Sequence, residues 1–401
     1  MVLILTVRPF GSRCASWQHT ELRLVIRAYK TELDPNNKQR SALERFAEIR
    51  MFVYNIGLLE WERQYKQGLK PSEYGLRKQF NAAKDELFPF VRDAPYAVTE
   101  GAFNDLGEAY KNFFRRIKNG DEKAGHPKPQ RNPDKFALRN TKVEYDRVRL
   151  AGIGWVRLKE SGYLPTTDSG LEFGTYSRIT KRAGRWFISV FVEEPDIELN
   201  DMHDTVIGID FGIKAVATCS DGKVFHNPRP LMEADRKLKR LQRELARRKR
   251  GGANWNKTKM RLQRQHKRVS DIRKHFLHQI SDYVVRDVRP SVIVIEDLNV
   301  SGMLTNHHLA RAISDVGFNE LRRQIEYKAR WYGVDVMVAD RWFPSSKTCH
   351  RCGVIKDDLK LSDRTFVCDG CGLVIDRDLN AAMNLAALGL NRQAGGDCLG
   401  S

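Results

Sequence analysis

Val206-Ile207-Gly208-Ile209-Asp210-Phe211-Gly212 is a short apolar run that stops on a carboxylate. Its length, its β-branched residues and the glycine just past its end predict a buried strand with Asp210 at the tip. The pattern returns in Val292-Ile293-Val294-Ile295-Glu296, where Glu296 takes the tip position. A third acid, Asp378, stands at the start of a predicted helix within Asp376-Arg377-Asp378-Leu379-Asn380-Ala381-Ala382. Taken singly, each has a plainer explanation: a strand-tip acid is commonly a cap or an ion-pair partner, and an Asp before a helix is most often an N-cap. Taken together, they predict three carboxylates converging on one point, where they repel one another unless cations sit between them. Two Mg²⁺ (or Mn²⁺) ions held there would activate a water and stabilise the leaving oxygen of a phosphodiester. Strands separated by helical sequence predict an α/β nuclease domain.

Between the two acid-tipped strands lies a long helical stretch, 232–287, broken near Gly251-Gly252. Its first part, 232–274, holds seventeen Lys or Arg against four acids. Leu238, Leu241 and Leu245 keep an apolar stripe, so one side packs while the cationic side faces outward. A charge run is usually just a solvated face. Its place between two proposed catalytic strands makes Lys237, Arg240, Arg247, Arg248, Lys249, Arg250, Arg261, Arg264, Lys267 and Arg268 candidate nucleic-acid contacts. The whole chain agrees: 69 Lys and Arg oppose 50 Asp and Glu over 401 residues, a formal net charge of +19. An excess of this size suits a polyanionic partner. No apolar run approaches the ~20 residues that a membrane span needs, so membrane attachment is disfavoured. The expectation is a cytoplasmic protein of a prokaryotic cell, associated with the nucleoid when on DNA.

Further along, Cys349-x-x-Cys352 and Cys368-x-x-Cys371 are separated by fifteen residues. Four thiolates at this spacing close a tetrahedron around Zn²⁺, and a module so small would draw its folding free energy largely from the metal. With all four positions filled by protein, the zinc is expected to be structural. Two pairs together disfavour a redox dithiol. Cys14, Cys219 and Cys398 read as bystanders.

The N-terminal half has a different rhythm. Leu22 to Lys30 alternates like a strand and ends at Asp34-Pro35. From 37 to 118 the apolar spacing turns helical, with Pro71, Pro89 and Pro95 as breaks. After the basic Gly125-His126-Pro127-Lys128-Pro129-Gln130-Arg131, short strands return, Trp186 to Val192 most clearly. The predicted fold class is therefore α/β multidomain, with an N-terminal β-domain interrupted by a helical lobe and then the nuclease domain. The segment 72–79 carries Tyr74 and Lys78 next to Pro71; such side chains can reach base edges and phosphates in a groove, although a solvent-facing helix explains them equally well.

The order and flanks of the three acids resemble the layout of a ribonuclease-H-like domain, and all these features together resemble TnpB, the compact insertion-sequence nuclease related to type V CRISPR effectors. The resemblance is carried by Gly208-Ile209-Asp210-Phe211-Gly212-Ile213-Lys214, the basic helix pair, Ile293-Val294-Ile295-Glu296-Asp297-Leu298, Trp342-Phe343-Pro344-Ser345-Ser346-Lys347, the four cysteines and the Asp-x-Asn-Ala pattern from Asp378. It extends from about Leu22 to Leu388. It implies a β-barrel-like wedge domain (22–36 and 126–200), a helical recognition lobe (37–125) and a RuvC-like nuclease domain (201–348 and 372–390). It also implies a zinc-binding target nucleic-acid-binding insert (349–371) and a tail (391–401). Residues 1–21 have no family counterpart and are expected to be disordered. The resemblance implies a guide RNA from the transposon end, a double-stranded DNA target beside a short adjacent motif, one monomer per RNA, and Asp210, Glu296 and Asp378 as the Mg²⁺-binding catalytic triad; Asp376 falls outside the pattern. Two rivals stand beside this reading: a carboxylate-triad DNA transposase, which the zinc module and basic helices disfavour, and a nuclease-inactive RNA-guided repressor, which the intact triad disfavours.

Overall fold

Strand β1 (Leu24–Asp34) alternates exposed and covered side chains until Pro35 ends it. The turn then becomes a capping box: Asn36 accepts from the Gln39 N–H and Gln39 reaches back to the Asn36 N–H, which starts the long helix α1 (Asn37–Lys66). Helix α2 (Glu73–Leu87) starts on the Ser72 cap, and α3 (Tyr96–Lys118) follows Pro95. The computed structural model describes residues 24–195, 203–307, 309–360 and 363–396. The expected extension 1–21, Cys14 and Cys398 lie outside them, as does the part of the expected tail beyond 396.

Beyond the helices come β2 (Lys135–Arg139), β3 (Lys142–Val143), β4 (Arg147–Leu150), β5 (Gly154–Leu158), β6 (Glu172–Phe173), β7 (Tyr176–Arg182) and β8 (Arg185–Pro195). They pair with β1 in the order β2-β7-β8-β1-β5-β4-β3, with β6 on β8. The helical segment is thus inserted between β1 and the rest of its own sheet. The end strands β2 and β3 are joined by Asn140 and Thr141 alone, and three Cα steps reach at most about 11 Å. The sheet therefore curls until its ends are neighbours. Asn140 makes the turn at φ 54, a left-handed position that asparagine tolerates. One core, containing Phe46, Val53, Phe103, Leu106, Ile179, Trp186 and Ile188, joins this sheet to the helices.

The second half is built on a five-stranded sheet. Its strands are β9 (His203–Asp210), β10 (Ala215–Cys219), β11 (Val224–His226), then, after helices α4 (Pro230–Ala246) and α5 (Ala253–Asp282), β12 (Pro290–Glu296). Helices α6 (Val300–Met303), α7 (Ala310–Val316) and α8 (Phe318–Trp331) lead to β13 (Asp335–Ala339). The order is β11-β10-β9-β12-β13, antiparallel from β11 to β9 and parallel from β9 to β13. Between β13 and the last helix lie the cysteines and a hairpin of β14 (Thr365–Val367) and β15 (Val374–Asp376). Helix α9 (Arg377–Gly396) follows β15 directly, so 391–396 belong to it. Ile207, Ile209, Ile293 and Ile295 pack one sheet face against α5 and α8. The chain is a mixed α/β multidomain protein.

The basic pair α4 and α5 is pinned to this half by a buried acid. Asp315 on α7 accepts the Leu231 N–H on both oxygens, at 3.2 and 3.1 Å, and Arg273 Nη2 on α5 at 3.0 Å. Among the described residues no helix is long and apolar enough to cross a membrane.

Candidate active site

Ile209 on β9 faces Ile295 on β12 in parallel register. The next residues, Asp210 and Glu296, therefore end adjacent strands at the same level, one strand spacing of about 4.8 Å apart. Side chains alternate along a strand, so Gly208, Asp210, Val294 and Glu296 share a face. That face is covered by α9. A Cβ on Gly208 would stand 2.1 Å from the Ala382 carbonyl oxygen and 2.5 Å from the Ala386 nitrogen, and one on Gly389 would meet Val206 Cγ1 at 2.6 Å and Val294 Cγ2 at 2.7 Å. The two glycines let helix and sheet touch with no gap, which carries Asp378, in the helix's first turn, to the strand tips. Asp376 does something else. Its Oδ1 accepts the Asp378 and Leu379 N–H groups at 3.0 and 3.1 Å, so it caps the helix.

The electrostatics agree with a shared site. Burial raises the Asp210 carboxyl well above its ordinary range, and the charges of Glu296 and Asp378 raise it further, against Arg377. Glu296 is raised too, first by burial and then by Asp378, while Ser345 and a hydrogen bond shared with Asp210 pull the other way. Ser345 Oγ donates to Glu296 Oε1 at 2.7 Å. Asp378 Oδ1 lies 2.8 Å from Arg377 Nη2, and its Oδ2 3.7 Å from Arg364 Nη1. Carboxylates brought together from two strand tips and one helix start form an all-oxygen donor set, and such a set fits a hard divalent cation.

Ser345 is held in place by α9. Asn384 Nδ2 donates to the carbonyls of Ser345 at 2.7 Å and Thr348 at 2.6 Å. Asn380, fully buried, donates to the Thr348 carbonyl at 2.7 Å and accepts the His350 N–H at 3.0 Å. The strap 345–350 thus hangs from the same helix that carries Asp378, with Ser345 at one end and Cys349 near the other. The sequence reading did not single out Ser345, Asn380 or Asn384 for a role, although all three lie in or beside the quoted motifs. For Asn380 and Asn384 the signal was a polar residue on the inward face of an otherwise apolar helix.

Cys349, Cys352, Cys368 and Cys371 come together with their sulfurs all within 4.8 Å of one another. The Cys349–Cys371 and Cys352–Cys368 sulfur pairs are 3.7 and 3.5 Å apart. Four sulfurs at about 2.3 Å from one tetrahedral ion stand about 3.8 Å from each other, so the set fits zinc and is too open for disulfides. Hydrogen bonding from the Cys371 backbone N–H is the main cause that lowers the Cys368 thiol to about 6. Asp376 ends β15, so the cysteine hairpin runs straight into the Asp378 turn.

The expected nucleic-acid residues divide. Lys237, Arg240, Arg247, Lys249, Arg250, Arg261, Arg264 and Arg268 are exposed along α4, α5 and their connection. Arg248 instead pairs with Glu244 and donates to the Asn254 carbonyl at 2.6 Å, closing the hairpin. Lys267 lies 2.6 Å from Asp271 and over the Phe187 ring of β8. These two serve contacts within the protein. Tyr74 and Lys78 are exposed on α2, far in sequence from the carboxylates.

Comparison with known proteins places the chain. Residues 189–307 match a family model described as "Probable transposase", 318–385 match "Cas12f1-like, TNB domain", and 25–70 match a "Helix-turn-helix domain". A Streptomyces pristinaespiralis protein named "Putative RNA-guided DNA endonuclease" is 35% identical over 391 residues, 94% of this chain and 92% of that one. The chain belongs to the TnpB family. This TnpB-family chain is also 29% identical to "Putative RNA-guided DNA endonuclease InsQ" of Escherichia coli over 91% of its length and 92% of the relative's. A solved structure, "Structure of the mini-RNA-guided endonuclease CRISPR-Cas_phi3", aligns with 91% of the chain and 92% of its own at a TM-score of 0.49 and 10% identity. Within 25–70 the chain forms β1 and the single long helix α1.

Proposed function

We propose that this protein is an RNA-guided DNA endonuclease of an insertion sequence, which uses a transposon-derived guide RNA to find DNA beside a short adjacent motif and cuts it. The observation that carries the reading is that Asp210 and Glu296 end adjacent strands side by side and Asp378 is brought to them by the first turn of α9. The names of the relatives over nearly the full chain support the guided part. The strand order β11-β10-β9-β12-β13 supports a RuvC-like nuclease domain over 201–348 and 372–390 with a zinc ribbon, 349–371, set into it. The curled sheet and helices support a wedge domain (22–36 and 126–200) and a helical recognition lobe (37–125), to which motif reading by the exposed Tyr74 and Lys78 is assigned.

In this reading Asp210, Glu296 and Asp378 hold Mg²⁺ (or Mn²⁺), which supplies an activated water and charge stabilisation at the leaving oxygen. The protein's own residues prepare the site. Ser345 donates to Glu296, which fixes its rotamer and favours its ionised form. Arg377 and Arg364 orient Asp378. The exposed cations of α4 and α5 hold phosphates, and one Zn²⁺ on the four cysteines fixes the strap that carries Ser345. The test is replacement of each acid by alanine. Cleavage should vanish in all three variants and stop with EDTA in the wild type, while RNA and target binding persist, because phosphate contacts elsewhere supply affinity. Full cutting by Glu296→Ala overturns the assignment.

A further inference from the structure

The motif Trp342-Phe343-Pro344-Ser345 supplies one residue to the site, Ser345, and leaves one unexplained. Trp342 is 85% exposed. It is the most exposed large apolar side chain among the described residues, and no other ring or cation lies against it. Its neighbour Phe343 turns inward and packs with Val294, Ala339 and Leu385. The backbone around it is fixed. Asp340 accepts the Trp342 N–H on its side chain at 2.8 Å and the Phe343 N–H on its carbonyl at 3.0 Å, and Ser345 N–H donates to the Phe343 carbonyl at 2.8 Å. Arg341 Nη2 anchors the turn to Asp297, the residue after Glu296, at 2.5 Å.

An indole held out in water on a rigid turn is not placed there by packing. Two residues separate it from Ser345, which touches Glu296, so its Cα lies within three Cα steps, about 11 Å, of that anchor. We propose that Trp342 is a stacking platform for an unpaired base of the DNA strand entering the carboxylate site. A flat ring gains from a base only where the base face is uncovered, so the occupant is a single strand, not a duplex. The chain's net charge of +19 and the exposed cations of α4 and α5 supply the backbone attraction that such a platform lacks by itself. Stacking would hold the strand in register with Asp210, Glu296 and Asp378 without reading its sequence, because every base has a π-face.

The catalytic benefit presupposes the nuclease reading above; the stacking does not, so the two are measured separately. Guide-loaded protein without added Mg²⁺ is titrated with a non-complementary single-stranded oligothymidylate and with a blunt duplex, and tryptophan fluorescence is followed in wild type, Trp342→Phe and Trp342→Ala. The single strand should quench a component present in wild type and missing from Trp342→Phe. Trp342→Ala should bind the single strand roughly ten-fold more weakly, within the range that base–aromatic stacking supports, and Trp342→Phe nearly as well as wild type. With Mg²⁺ and a matched target, Trp342→Ala should cut slowly at low DNA and recover at high DNA. Equal quenching in wild type and Trp342→Phe, equal quenching by the duplex, or undiminished binding by Trp342→Ala overturns the platform. A wild type that binds and quenches but never cuts DNA overturns the nuclease reading alone.

Discussion

Replacing Gly208 by alanine adds one methyl group where α9 leaves no room. The new carbon would sit 2.1 Å from the Ala382 carbonyl oxygen, 2.5 Å from the Ala386 nitrogen and 2.9 Å from Leu385 Cβ. The first two are helix backbone, which cannot swing aside as a side chain does. To pass from 2.1 Å to the 3.4 Å of ordinary contact, the helix must retreat by about 1.3 Å. Overpacking of this kind costs about 1–3 kcal/mol of stability. The retreat also pulls Asp378 from Asp210 and Glu296, and a misplacement of about 1 Å costs on the order of 100-fold in rate. The assay pairs urea denaturation of the RNA-free protein with single-turnover cleavage of a guide-matched target. Gly389→Ala serves as the control, since its methyl would meet the movable side chains of Val206 and Val294, eleven residues or about 16 Å along the helix from Asp378. It should lose stability by about 1 kcal/mol and keep most of the activity. Gly208→Ala cutting within about three-fold of wild type would refute the claim that helix–sheet contact positions the third carboxylate.

Asn384→Ala leaves the carbonyl of buried Ser345 without that donor while Asn380 still serves Thr348, a loss of about 1–3 kcal/mol read by urea denaturation; Ser345→Ala keeps the strap but frees Glu296, so it should cut more slowly and need more Mg²⁺ while denaturing nearly like wild type, and an unchanged Mg²⁺ requirement would count against the Ser345 role. Cys349→Ser should release zinc, which is expected at about one per chain in the wild type, and slow cleavage through the strap; zinc near zero in fresh reduced wild-type protein would contradict the ribbon. Substituting Tyr74 and Lys78 together should change the preferred adjacent motif in a randomised-target assay, and an unchanged preference removes α2 from that role.

Much of the carboxylate site was legible because its grammar is local. A β-branched run stopped by an acid names a strand tip, and two such tips in one parallel sheet necessarily end on the same side. The cysteine cluster was legible for the same reason, since ligand spacing fixes a knuckle before any long-range contact forms. What escaped were residues whose roles depend on distant partners. Asn380 and Asn384 look like surface residues until α9 is laid against the strap; Asp315 looks like one more exposed acid until α4, α5 and α7 close around it. Arg248 sits in an unbroken cationic run, yet Glu244 one helical turn away claims it. The pairing of β1 with β8, from Leu24↔Pro195 to Glu32↔Phe187, joins strands with the helical lobe and most of the sheet between them. No periodicity encodes that.

The proposed activity, cutting DNA where an RNA directs it, is tested most directly by changing that RNA. Protein expressed with its flanking transposon end should copurify with an RNA whose 3′ segment runs into neighbouring sequence. Exchanging that segment should redirect double-strand cutting to the newly matched target beside the right motif, with Asp210→Ala binding the new target but leaving it whole. Cutting that stays at the original site after the exchange, or persists in RNase-treated protein, would contradict the account.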